Sequence, residues 1–400
     1  MRENNRQKCS ACGTSPVNHR FLFILNVMDE TFGKYADRVF SFTQNTFWQK
    51  TANKIEKILF TILYYIGLVR YNGNDITKAP TGRSKIIWEE AIKRNIPMEQ
   101  VIMFGKPIDY YRAKIDTKRN GKWFYFQSLP VPPALPQGGY KWLDDKFVLL
   151  KRLREADIPA PATEKITTWK KAVNAFGGMQ KPVIIKPKFG SRGRHTTTNI
   201  KTEQELKQAF SLARQITPWM VLQEHLEGSV CRATVINGEL VGFFRADSPQ
   251  VTGDGIKNIR ELILEKNKTR NEKLSEILIN DDLLNFIERQ NYALESILPK
   301  NQVVNLSAKT GRMYGGYTRE MLSEIHPKIH SIFKKAGELV EAPVAGFDLI
   351  IEDPTKDPDL QHWGIIECNS LPFLDLHYFA LEGTPIHLGA NVWDLWNIKN

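Results

Sequence analysis

The sequence predicts an α+β fold, preceded by a smaller N-terminal α/β domain, on three observations. The chain has 400 residues, more than one hydrophobic core usually organises. Past residue 140, apolar runs of strand length alternate with amphipathic helical stretches, and tight turns join several of the runs, so antiparallel pairs are mixed into the alternation. Between the two regions stands Leu129-Pro-Val-Pro-Pro-Ala-Leu-Pro136, whose prolines lack the backbone donors that a strand or helix needs. The boundary is placed there. It gives a disordered polar tail over residues 1–16, an N-terminal domain over 17–140, a first lobe over 141–220 and a second over 221–400.

Taken in order, Phe21 to Val27 reads as an apolar strand, and Thr43 to Val69 as a helix ending before the turn signal Tyr71-Asn-Gly-Asn74. Val101 to Phe104 reads as a short strand. Tyr110 to Ile115 and Lys122 to Phe126 flank Arg119-Asn-Gly121, and Asn-Gly accepts the positive φ angles of a tight turn, so a hairpin is expected. Asp144 to Ala156 repeats its apolar residues at helical spacing and is stopped by Asp157-Ile-Pro-Ala-Pro161. Strands are expected at Val183 to Lys186, Val221 to Gln223, Cys231 to Ile236 and Glu239 to Arg245, the last two joined by Asn237-Gly238. Helices are expected at 203–215, 258–267, 281–289 and 328–340.

The net charge is +11, from 55 Lys and Arg against 44 Asp and Glu. Residues 1–140 hold 21 basic and 11 acidic side chains and the remainder 34 and 33, so the excess belongs to the N-terminal part. Such a bias attracts nucleic acid, anionic surfaces or acidic substrates, but a scattered solvated surface is the simpler reading. Four cysteines are too few for a disulfide framework in a chain this long, which fits a reducing cytoplasm. Cys9-Ser-Ala-Cys12, near His19, has the spacing of half a zinc knuckle, with no second pair following. No basic-then-apolar leader pattern opens the sequence. The apolar run Ile58 to Val69 is 12 residues long, short of the ~20 that span a bilayer, so a buried helix is expected and no transmembrane segment.

Four constellations carry chemistry. Gly346-Phe-Asp-Leu-Ile-Ile-Glu352 and Trp363-Gly-Ile-Ile-Glu-Cys-Asn369 are apolar strands that can pair side by side; Glu367 and Asn369 then face one way, Ile366 and Cys368 the other. With Asp348 opposite, two carboxylates and an amide oxygen converge, a donor set that suits magnesium shared with substrate phosphates. Next, Pro182-Val-Ile-Ile-Lys-Pro-Lys-Phe-Gly-Ser-Arg-Gly-Arg194 closes an apolar strand with Lys186 and follows it with glycines at 190 and 193, whose backbone N–H groups can approach a phosphate. It has neither the spacing of a Walker loop nor a dinucleotide fingerprint, and taken alone it reads equally well as a surface turn. Third, Val221-Leu-Gln-Glu-His-Leu-Glu-Gly228 leaves a strand as a hinge able to read an adenine edge. Fourth, Arg245 stands at a strand end before a glycine turn and a helix, where it can clamp a carboxylate or make an ordinary surface salt bridge.

In this order the pieces resemble the ATP-grasp enzymes over residues 141–400, and within them the cyanophycin synthetase-like and bifunctional glutathione synthetase-like ligases. The finer resemblance is carried by Asp247-Ser-Pro-Gln-Val-Thr-Gly-Asp-Gly255 running into Ile259-Arg-Glu-Leu-Ile263, by Glu324-Ile-His-Pro327, and by Glu367-Cys-Asn-Ser-Leu-Pro-Phe-Leu-Asp-Leu-His377 with Glu382-Gly-Thr-Pro385. It implies two α+β lobes clasping ATP. It also implies that Lys146 and Lys186 hold phosphates, that Gly190, Ser191, Arg192 and Gly193 close over them, and that Gln223, Glu224 and Leu226 hold adenine. Asp348, Glu367 and Asn369 would ligate magnesium, two ions, with manganese able to replace it. Arg245 and Arg232 would bind the acyl substrate or stabilise the acyl phosphate. The chain departs from the pattern at His195, Val230, Gly311 and Phe373, which predicts a substrate pocket of its own.

The expected activity is ATP-dependent joining of a carboxylate to an amine, on an amino acid or small peptide, through an acyl phosphate. The expected partners are small molecules and another copy of the chain, not nucleic acid. Two rival readings are a phosphotransferase on the same scaffold and a non-catalytic protein that binds nucleic acid or other anions through residues 1–140. His377 reads as a pocket residue that handles protons or as a core histidine.

Overall fold

A computed structural model of the protein describes residues 18–28, 58–115, 121, 123–135, 141–188 and 195–397. Helical residues 19–28 form α1, where a strand was expected. Asn18 decides the difference: its side chain accepts from the Phe21 N–H at 3.2 Å and so caps a helix start, whereas a short apolar run has no period of its own to choose between helix and strand. The expected helix 43–69 is described only from residue 58. There α2 spans 58–65, the chain turns at Gly67 with φ +77°, and Val69 already opens the next strand.

The N-terminal sheet is an antiparallel meander of β1 (Val69–Asn72), β2 (Met98–Met103), β3 (Lys106–Lys114) and β4 (Trp123–Gln127), with α3 (Gly82–Lys93) between the first two strands. Lys114 pairs with Trp123 as the hairpin reading requires, although residues 116–120 of its turn lie outside the described residues. Thr81 caps α3 by accepting from the Ser84 N–H. Strand alternation splits the aromatic residues between two faces. Tyr111 and Phe126 pack with Ile86, Ile87 and Trp88 of α3, while Tyr110 and Tyr125 stack on Phe60 of α2 at 5.2 and 5.4 Å.

A short helix α4 (Lys141–Asp144) leads into α5 (Lys146–Glu155). The single helix expected over 144–156 is interrupted at Asp145, whose carboxylate accepts from the Phe147 and Val148 N–H groups and starts α5 afresh. A second sheet, in the order β5-β8-β6-β7, comprises β5 (Thr163–Ile166), β6 (Val183–Pro187), β7 (Thr197–Ile200) and β8 (Met220–Glu224), covered by α6 (Trp169–Gly178) and α7 (Glu203–Arg214).

The largest sheet runs β13-β10-β9-β14-β15, from β9 (Ser229–Ile236), β10 (Glu239–Ala246), β13 (Thr318–Glu320), β14 (Val344–Ile351) and β15 (Gly364–Asn369). One face carries Cys231, Ala233, Phe243, Phe347 and Leu349 and is sealed by α5 and by α10 (Pro327–Val340). Between β10 and β13 the chain makes a satellite core from β11 (Gln250–Thr252), α8 (Ile259–Thr269), α9 (Asp281–Glu288) and β12 (Val303–Asn305). Helices α7 to α10 thus stand within two residues of their expected bounds, ordinary fraying at helix ends.

The C-terminal segment, α11 (Asp375–Tyr378) and α12 (Gly389–Asp394), returns to the N-terminal sheet. Leu388, Val392 and Trp393 share one buried cluster with Ile86, Trp88 and Tyr111, and with Ile236 and Val344 from the other face of the large sheet. The Trp393 indole donates to the Ile87 carbonyl at 2.9 Å. The N-terminal meander therefore packs across the second face of the large sheet. No described helix is long and apolar enough to cross a membrane.

Candidate functional site

On that second face Asp348 and Glu367 stand directly opposite one another across β14 and β15, and Gly346 stands opposite Asn369. The ladder slips just beyond Asp348, so Leu349 pairs with Ile365 and Ile366 is the extra residue of a bulge. Simple alternation put Ile366 with Cys368. The bulge instead sends Ile365 and Cys368 into the core and leaves Ile366 half-buried beside Glu367.

Lys146, at the first position of α5, lies 3.7 Å from Glu367 Oε2. Lys186 arrives from β6 in the neighbouring sheet and is buried. Burial, aided by the charge of Lys146 and opposed by that of Glu367, brings its pKa down to about 7. The two lysines and the carboxylate therefore share one electrostatic neighbourhood. Two further residues escaped the sequence reading. Lys188, two residues after Lys186 and also buried, lies 2.7 Å from Asp145, the residue that caps α5. One ion pair thus ties the lysine strand to the helix start that presents Lys146.

Arg232 on β9 is level with Asp348 and grips it bidentately, Nε to Oδ1 at 2.5 Å and Nη2 to Oδ2 at 2.9 Å. Burial works against the guanidinium charge, but Asp348 outweighs it and holds the pKa above its ordinary value. Its Nη1 is buried without a hydrogen-bond partner. Arg245 is not brought to this cluster. It is level with Cys231, which places it on the other face of the sheet, and it binds Asp247 at 2.8 Å. Asp247 in turn accepts from Ser229 Oγ at 2.9 Å.

At the hinge, Gln223 is buried with its Nε2 unpartnered, and Leu226 is buried as well. The Glu224 carboxylate accepts from the Ala162 N–H at 3.1 Å and lies 2.9 Å from His362 Nε2. Gly190, Ser191, Arg192 and Gly193 lie outside the described residues, as do Cys9 and Cys12. His195, just past that loop, is buried and bonded through Nδ1 to the Leu212 carbonyl at 2.7 Å.

Residues 371–377 run over the same face of the large sheet. Two glycines make room for them: a Cβ on Gly346 would meet Pro372 Cβ at 2.5 Å, and one on Gly242 would meet His377 Nδ1 at 2.6 Å. His377 is fully buried, with Glu320 2.5 Å from Nδ1 and Thr234 Oγ1 2.7 Å from Nε2. That is the environment of a core histidine.

Among the described residues no three His, Cys, Asp or Glu side chains form a ready metal cage. Asp348, Glu367 and Asn369 offer oxygen alone. Each Asp348 oxygen, after accepting one bond from Arg232, keeps a second lone pair. The donor set fits a hard cation that completes its shell with phosphate and water.

A family model described as an ATP-grasp domain matches residues 143–247. Over 254 residues the chain is 32% identical to a cyanophycin synthetase of Synechocystis sp., covering 61% of this chain and 29% of that protein. Over 262 residues it is 27% identical to a glutathione biosynthesis bifunctional protein of Mannheimia succiniciproducens, covering 62% and 35%. The match thus spans about a third or less of these relatives' length. The crystal structure of a bifunctional glutathione synthetase from Pasteurella multocida superposes with a TM-score of 0.51 at 22% identity, covering 79% of this chain and 44% of that one, and shares the fold.

Proposed function

This chain carries an ATP-grasp domain in an ATP-grasp fold, and on that premise we propose that it is an ATP-dependent ligase joining a carboxylate to an amine. The observation that carries the reading is the meeting of Lys146, Lys186 and Glu367 from separate elements, with Asp348 directly opposite. Two cations facing two carboxylates suit a polyphosphate bridged to a metal ion, and no side-chain nucleophile is needed.

In the proposed reaction a substrate carboxylate oxygen attacks the γ-phosphorus of ATP and ADP leaves. The amine nitrogen then attacks the acyl carbon, the C–O bond to phosphate breaks, the nitrogen gives up a proton that leaves with the phosphate, and an amide forms. Lys146 and Lys186 hold phosphate oxygens in a buried setting where charge is worth more than in water. Asp348, Glu367 and Asn369 would hold magnesium, or manganese in its place, which would supply neutralisation of phosphate charge. Arg232 keeps Asp348 oriented and turns its unpartnered Nη1 to the acyl substrate. Gln223, Glu224 and Leu226 would hold adenine and Gly190, Ser191, Arg192 and Gly193 the phosphates, while Arg245, turned to the other face of the sheet and bound to Asp247, is left out of the site. The relatives' names, cyanophycin synthetase and glutathione biosynthesis protein, support an amino acid or small peptide as substrate.

The test is ADP release with amino acids and dipeptides, singly and in pairs, on wild type and Glu367→Gln, with products read by mass spectrometry. The reading expects turnover that needs both an acid and an amine and falls at least a hundredfold in the variant, the scale of losing an electrostatic group at a transition state. ADP accompanied by a phosphorylated product and no amide would make the protein a phosphotransferase.

A further inference from the structure

One side chain of the N-terminal meander reaches the segment that follows the acidic strand. Arg83, in the first turn of α3, is 7% exposed. Its Nη1 donates to the Leu371 carbonyl at 2.5 Å and the Pro372 carbonyl at 3.3 Å, two and three residues past Asn369. Its Nη2 donates to Ser128 Oγ at 2.8 Å and Asp109 at 3.4 Å. Asp109 also accepts from the hydroxyls of Ser84 and Ser128. Asp109 on β3 and Ser128 just after β4 therefore fix the plane of the guanidinium through Nη2, and its Nη1 is aimed at two consecutive backbone carbonyls.

The segment so held is a thin one. Pro372 rests on Gly346, where a Cβ would also come within 2.9 Å of Arg232 Nη1. The Phe373 ring lies 5.6 Å from the Arg83 guanidinium carbon and is 52% exposed. Asp375 abuts Gly82, the residue before Arg83, and His377 is locked by Glu320 and Thr234. With both ends pinned, Leu371 and Phe373 remain as the exposed apolar side chains of a short bridge beside Arg232 and Asn369.

We propose that Arg83 is a positioning residue for the ligation, fixing residues 371–375 as a wall of the pocket for the acid or amine. The assignment rests on the ligase reading. It gives the N-terminal meander a task in substrate binding while leaving the nucleotide to the two lysines. A lysine at position 83 supplies charge but cannot span two carbonyls, Ser128 and Asp109 together.

The experiment uses the full chain with Arg83→Met, Arg83→Lys and Ser128→Ala. Calorimetry reads the affinity for AMPPNP with magnesium, hydrogen exchange reads the amides of residues 371–376, and ATP turnover is titrated with a mixture of the twenty amino acids and their dipeptides. Arg83→Met is expected to keep nucleotide affinity within about twofold, to raise exchange in the segment at least about tenfold, and to raise the KM for the mixture about tenfold with a smaller change in kcat, as loss of substrate positioning requires. Arg83→Lys and Ser128→Ala should fall between, and they decide the matter if Arg83→Met does not fold. Unchanged exchange, or equal rises in the KM values for ATP and the mixture, overturns the proposal. A wild type that binds AMPPNP yet turns over nothing sinks the ligase reading instead.

Discussion

Asp348 and Glu367 are direct cross-strand partners, and each is balanced by a cation from a different element, Arg232 for the first and Lys146 for the second. Like charges facing across a ladder repel, so the pair persists only because both are compensated. Arg232→Met leaves Asp348 half-buried without its bidentate partner, and should lower unfolding free energy by about 3 kcal/mol, the usual cost of breaking such a pair. Urea denaturation measures it. A loss below about 0.5 kcal/mol, typical of an exposed pair, would mean that Arg232 does not compensate Asp348.

Lys186 makes the nucleotide site sensitive to pH. Its folded pKa of about 7 lies below the ~10.4 of an unfolded lysine, so between these values the unfolded chain binds more protons and stability rises with pH; below pH 7 the cost of the buried charge is complete. Lys186→Met should flatten that rise. In metal-free protein at pH 8, nucleotide binding should take up a proton as phosphate restores the lysine charge. Heats of binding in two buffers of different ionisation enthalpy would then differ, and identical heats would contradict the assignment of phosphate to Lys186.

Gly242→Ala and Gly346→Ala place a methyl against His377 and Pro372 and should each cost about 1–3 kcal/mol, as overpacking does. Gly177→Ala, with nothing within 4 Å of the new methyl, serves as control and should be neutral or stabilising. Thermal melts compare the three; equal stability of all three variants would show that residues 371–377 do not rest on the sheet as described.

Trp393→Ala removes the C-terminal anchor of the N-terminal meander. Phe or Trp to Ala in a core costs about 3–5 kcal/mol. Because Trp393 shares its cluster with both sheets, circular dichroism should show one unfolding transition shifted as a whole. A split into two transitions would mean that the meander is stable without the large sheet.

Much of the site is legible because polar residues interrupt apolar strands. Asp348, Glu367 and Lys186 are conspicuous against Ile, Leu and Val, and pairing of the two acidic strands follows from their adjacency. The bulge at Ile366 is not legible, since it arises from the ladder rather than from composition. Asp145 with Lys188 needs two elements to meet before it means anything, and Arg83 acts on a carbonyl 288 residues away. Helix α1 was open to misreading because seven apolar-rich residues fit either period, and the polar cap that decides lies outside the run. Arg245 looked like a clamp at a strand end; the register, which sequence does not show, turns it to the other face.

The most direct test of the acyl-phosphate route is isotope transfer. An active acid substrate carrying ¹⁸O in its carboxylate is turned over with ATP, magnesium and the amine, and the released phosphate is weighed. Attack by the carboxylate on the γ-phosphorus predicts one ¹⁸O in each phosphate formed, with ADP as co-product and at least a hundredfold less labelled phosphate per unit time from Glu367→Gln. Unlabelled phosphate, or AMP with pyrophosphate, would contradict the account.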